Sequence, residues 1–89
     1  EMLLHPGLTT VLSMGHGEVT VVEHVVGGHL EGHRVDELTI PGEMLVAGLT
    51  RDGRAIVPTP GTRFRVGDTL YISVDTASLG RLQQMLRLP

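Results

Sequence analysis

Cysteine and tryptophan are absent from this chain, and it holds one phenylalanine and one tyrosine. Without cysteine, no disulfide and no thiolate metal site can brace the fold. With aromatic residues at 2% the core must be aliphatic, and nucleobases have little to stack on. Lys and Arg total 7 against 10 Asp and Glu, a net charge of −3 that repels a phosphate backbone. Nucleic acid is therefore not an expected partner. Apolar runs extend for only a few residues, so no membrane-spanning helix is expected. No charged segment followed by an apolar stretch marks a signal peptide. The expectation is a cytoplasmic domain cut from a longer protein. No G-x-G-x-x-G and no P-loop occurs, so a nucleotide-binding fold is not expected here. Ser13, Ser73 and Ser78 lack His and Asp partners in a nucleophile arrangement, and an enzyme is not expected.

What is present fits one small domain. A chain of 89 residues buries only about 60–65% of its unfolded surface, which leaves stability marginal. Association with another copy is the remaining source of support.

The chain divides at its turn residues. His5-Pro6-Gly7 reads as a linker or turn, and Val11 to Met14 as a short strand before Gly15-His16-Gly17. Glu18 to Val26 is rich in β-branched residues and predicts a strand. Val19, Val21, Glu23 and Val25 share one face, and Thr20, Val22, His24 and Val26 the other. Arg34 to Leu38 predicts a short helix, with Val35 and Leu38 on one side. Met44 to Thr50 is apolar on both faces, as a central strand is. Asp52-Gly53 suits a two-residue type I′ turn, which pairs Arg54 to Val57 back on that strand. Thr62, Phe64 and Val66 alternate with Arg63 and Arg65, as in a short strand or an extended arm. After the Gly67-Asp68 turn, Leu70, Ile72 and Val74 alternate with polar residues. Asp75 or Thr76 can cap a last helix whose stripe is Leu79, Leu82 and Leu86, with Met85 beside it.

Five histidines raise the question of a metal. His29 and His33 are spaced for one helix face, but Gly28 and Gly32 disfavour a helix there, so solvated histidines are expected and no metal site. Glu23 is expected to reach water at a strand end; an ion pair with Arg34 or Arg51 is the alternative. Arg51 reads as an exposed turn arginine, cheap to remove.

Several of these segments, taken in order, resemble a known family. Gly32-His33-Arg34-Val35-Asp36-Glu37-Leu38, Ile40-Pro41, Leu49-Thr50-Arg51-Asp52-Gly53, Pro58 and Gly67-Asp68-Thr69-Leu70 resemble the TrkA C-terminal domain. That domain is the C-terminal half of the module that regulates potassium conductance. His33 stands where the family usually has lysine or arginine. The resemblance implies an α+β fold: a small antiparallel-dominated sheet with two helices, assembled as a homodimer. It divides the chain into a linker or N-terminal extension, 1–16, and a regulatory domain, 17–89. It implies a cytoplasmic domain that senses a ligand for a potassium or other monovalent cation transport system. The partners implied are a membrane transporter subunit and the nucleotide-binding domain of the same protein. No cofactor is expected, but a small anionic effector such as cyclic di-AMP is. Arg34, Val35, Leu38, Arg51 and Pro58 are the expected ligand-binding residues. A structural dimerisation domain without its own ligand is the alternative.

Overall fold

The computed structural model describes residues 2–88. Six strands form one sheet: β1 (Met2–His5), β2 (Leu8–Met14), β3 (Val19–Val25), β4 (Met44–Arg51), β5 (Arg54–Ile56) and β6 (Thr69–Asp75). Their order is β1-β2-β3-β6-β4-β5, and every pairing is antiparallel. One α-helix, α1 (Leu79–Met85), follows the last strand. The fold is thus an antiparallel sheet with a C-terminal helix, as expected in outline.

The turn chemistry explains the hairpins. Asp52 and Gly53 both adopt positive φ, 52° and 76°, which a type I′ turn requires, so Arg51 pairs with Arg54. The expected strand at 54–57 ends one residue early, at Ile56. Alternation in β6 is regular, and Leu70, Ile72 and Val74 are all buried. In β4 a bulge between Val46 and Gly48 inserts a residue. It shifts the buried positions from Met44 and Val46 to Leu49, so the strand stays inward-facing past its bend.

Two expectations are corrected. The buried face of β3 is Thr20, Val22 and His24, which places Val21, Glu23 and Val25 on the outer face. Glu23 therefore lies mid-strand, opposite Thr9 and Tyr71, and not at a strand end. The segment at Val35–Leu38 is one turn of 3₁₀-helix, too short for an α-helix, so α1 is the one α-helix among the described residues where two helices were expected. The N-terminal extension carries strands. Its residues 2–14 form β1 and β2, and β2 pairs with β3 through a bulge between Thr10 and Leu12.

Leu82 of α1 and Leu86 at its C-cap pack with Leu8, Val22, Leu49, Phe64 and Ile72 in one core on the inner side of the sheet. Each such side chain contributes roughly 1.5–3 kcal/mol by leaving water. Asp75 accepts from the Ala77 N–H at 3.0 Å, and so caps the turn that leads into α1. The arm at 62–66 is extended but pairs with the 3₁₀ region and not with the sheet. Gly32 N–H donates to the Phe64 carbonyl, Phe64 N–H to His33, and Val35 N–H to Thr62.

Candidate functional site

Arg51 is placed by the end of β4, directly before the turn. Its guanidinium reaches across to Asp68, which follows the positive-φ Gly67. Nε donates to one carboxylate oxygen at 2.9 Å and Nη2 to the other at 2.6 Å. Nη2 also donates to the Arg63 carbonyl. Asp68 is 2% exposed and accepts a further bond from the Arg65 N–H at 2.9 Å. These hydrogen bonds, Arg51 first, hold the Asp68 carboxyl below its ordinary range. Arg51 is therefore not the exposed turn arginine that its sequence position implies. It ties the arm and the start of β6 to β4.

Arg34 makes the same fork to Asp36, at 3.1 and 2.6 Å, but on the surface. Its backbone N–H donates to Glu37, whose other oxygen meets His33 Nδ1 at 2.9 Å. The Arg34 N–H, then His33, hold the Glu37 carboxyl below its ordinary range. Val35 is buried in the core. Pro58 is half-buried just beyond β5, and Leu38 forms the floor of a surface hollow.

Three hollows mark the surface. The first lies on the outer face of the sheet, about 230 Å³, between Val19, Pro41, Gly42, Leu45 and Ser73. Its walls are mainly apolar, with Glu43 and Asp75 on the rim. The second, also about 230 Å³, lies on the helix side. Leu30, Leu38, Phe64 and Met85 line it, with His29, His33, Glu37 and Arg87 around them. The third, about 320 Å³, sits at the Gly7 end of the sheet, beside Glu23 and Tyr71. Of the five residues expected to bind ligand, Leu38 alone lines any of these three, so the five do not converge within one chain.

His29 Nε2 meets the Leu86 carbonyl at 2.7 Å, so the nitrogen is the donor there. Among the described residues, no group of three or more His, Cys, Asp or Glu is placed to hold a metal. Sequence reasoning missed Asp68 as a partner for Arg51. The pairing emerges only from the register that sets Thr50 opposite Thr69 and so brings the flanking residues together.

The outer face carries the other feature of note. Register aligns Leu12, Val21, Ser73 and Leu45 in a row across β2, β3, β6 and β4. Leu12 is 47% exposed and Leu45 50%, while Val25 on the same face is 61% exposed. No helix among the described residues is long and apolar enough to cross a membrane.

A comparison with curated proteins finds no match. A family model, the TrkA-C domain, matches residues 19–87. Such domains are regulatory and associated with the transport of potassium or other ions. The match begins at the first residue of β3 and runs into the C-terminal turn, so it takes in four strands, the arm and the helix. This chain belongs to the TrkA-C domain family.

Proposed function

We propose that this chain is the cytoplasmic, dimerising and ligand-sensing domain of a potassium or other monovalent cation transport system. A second copy covers the outer face of the sheet. The dimer passes effector binding, or movement of a neighbouring nucleotide-binding domain, to a membrane transporter subunit. The observation that carries this reading is the row Leu12, Val21, Ser73 and Leu45 on a face that the helix does not cover. An exposed apolar face of this kind marks an interaction surface, and a small core gains stability from mass action when it is covered. The effector is a small anion such as cyclic di-AMP, bound between two copies and favouring one arrangement over another. Arg34 is the charged anchor best placed for it, since its guanidinium is exposed and its partner Asp36 exchangeable.

One observation favours a dimerisation domain with no ligand of its own. Both expected anchors are already paired, and the rim of the outer hollow is acidic. Two measurements separate the readings. Sedimentation of the wild type at micromolar concentration should give a dimer, and Leu45→Asp a folded monomer. A 9.6 kDa species alone in the wild type refutes dimerisation. Calorimetry with cyclic di-AMP should give about one ligand per two chains if the site lies on the two-fold axis. Heat absent from a proven dimer leaves the ligand-free reading standing.

A further inference from the structure

The geometry points to a second ligand site, on the helix side of the sheet, for a small organic anion with an apolar body. The hollow there has a floor of Leu30, Leu38 and Phe64, all buried, and Met85 closes one wall. About 230 Å³ falls below the roughly 300–1,000 Å³ of drug-sized pockets, so the occupant is fragment-sized. The apolar floor selects the body of the ligand, and the polar groups around it select the charge.

Of those groups Arg87 is the fixed cation, and the carboxylate has its oxygens turned to donors of this chain. Glu37 is the one carboxylate, and both of its oxygens are engaged, by His33 Nδ1 and by the Arg34 N–H. His29 spends Nε2 on the Leu86 carbonyl. Arg87 differs, because its guanidinium pairs with no carboxylate among the described residues. It also occupies an unusual position. Its φ is +56°, just past the end of α1, where a helix ordinarily stops on glycine. Arg87 N–H still closes the helix end by donating to the Gln84 carbonyl at 3.0 Å. Stopping the helix requires only a backbone that tolerates positive φ, which glycine does best. An arginine there adds a guanidinium beside an apolar hollow, at a conformational cost that the helix stop does not explain. Guanidinium plus apolar floor is the recognition chemistry of a carboxylate on a short hydrocarbon or ring.

The position of Arg87 separates binding from folding. Arg87→Gly should raise or preserve the melting temperature, since it relieves the backbone, yet weaken the site. The probe is octanoate, titrated into the labelled chain and followed by amide resonances, with octylamine as the charge-reversed control. Octanoate should shift Leu30, Leu38, Phe64, Met85 and Arg87, and octylamine should not. Arg87→Gly should weaken octanoate by about tenfold or more, as the loss of a charge-assisted hydrogen bond implies. Three results overturn the site: no shifts in the wild type, equal shifts from octylamine, or an unchanged affinity in Arg87→Gly. Shifts confined to Val21, Leu45 and Ser73 also overturn it, by placing the probe on the outer face. Because the two faces report through different residues, a failed dimer and a failed helix-side site are distinguishable.

Discussion

Arg34 and Arg51 each grip an aspartate through Nε and Nη2, with closely similar distances, yet the two pairs do different work. The difference lies in the acceptor. Asp36 is 35% exposed in its side chain and Asp68 2%. An exposed pair gains little, because water competes for both partners and the long side chain loses freedom. A buried carboxylate has no water to fall back on, so removing its partner strands a charge. Reach matters as well. Arg34 and Asp36 lie on one turn, whereas Arg51 and Asp68 are separated by 17 positions and join β4 to β6 through the arm. The same fork is surface decoration in one place and a tie between distant segments in the other.

The sharpest way to break that comparison is Asp68→Ala. It leaves Arg51 with the Arg63 carbonyl but no carboxylate, and the Arg65 N–H without that acceptor. The expected loss is about 3 kcal/mol, the low end for a broken buried pair because Arg51 partly reaches water. That is a large share of the roughly 5–15 kcal/mol that holds a domain folded. Urea denaturation checks it, and a midpoint equal to that of the wild type sinks the assignment. Arg51→Ala should cost about as much, since it strands the buried Asp68 carboxylate with the Arg65 N–H as its remaining donor. The pair also predicts an acid limb. The Asp68 carboxyl is held below its ordinary range, so the folded state binds fewer protons than the unfolded state. The contribution is complete above an unfolded pKa of about 3.9 and fades as pH falls through the folded value. Arg51→Ala should flatten that limb.

Where local chemistry decides, the sequence was readable. Asp52-Gly53 forms the expected turn, Leu70, Ile72 and Val74 alternate inward, and Leu82 and Leu86 carry the helix stripe. Non-local choices were not readable. Valines on both faces of β3 leave its inward side undetermined until the helix region packs on one of them. Of the N-terminal strands, β2 depends on pairing with β3 and β1 on pairing with β2. Arg51 looked free because its acceptor lies 17 positions away in sequence. The candidate site was less legible still: the family motif named Val35 and Leu38, but one packs into the core and the other floors a hollow.

His24 offers a smaller and separable test. It lies on the inner face of β3, buried, with Nδ1 at 2.8 Å from the Gly7 carbonyl. Nε2 is buried without a partner among the described residues. Burial pushes its pKa down, and the neighbouring His29 adds to that, against the Gly7 bond. The neutral ring is thus the folded form, with Nδ1–H the donor. As pH falls below the ordinary value of about 6.5, the unfolded chain takes up a proton that the folded chain resists, and stability declines toward the lower folded pKa. Stability measured from pH 7.5 to 5 should fall in the wild type and stay flatter in His24→Gln. This window lies above that of Asp68, so one titration resolves both. An equal slope in the variant refutes the buried neutral ring.

The smallest expected effect is at Arg34, and its smallness is informative. The fork to Asp36 raises the Arg34 pKa through the Asp36 hydrogen bond and charge, but the group is fully exposed and already charged at any pH of interest. No stability follows from holding a proton that would be held anyway. Arg34→Ala keeps the backbone N–H that caps Glu37, because that donor belongs to the main chain. The melting temperature should therefore match that of the wild type, at low salt and at high salt alike, since the pair is too exposed for screening to reveal a contribution. A clear drop would mean that Arg34 meets something beyond Asp36, and a second copy of the chain is the natural candidate. Repeating the measurement across protein concentration distinguishes the two. A drop that grows on dilution places Arg34 at an interface, and a constant drop places it in the fold.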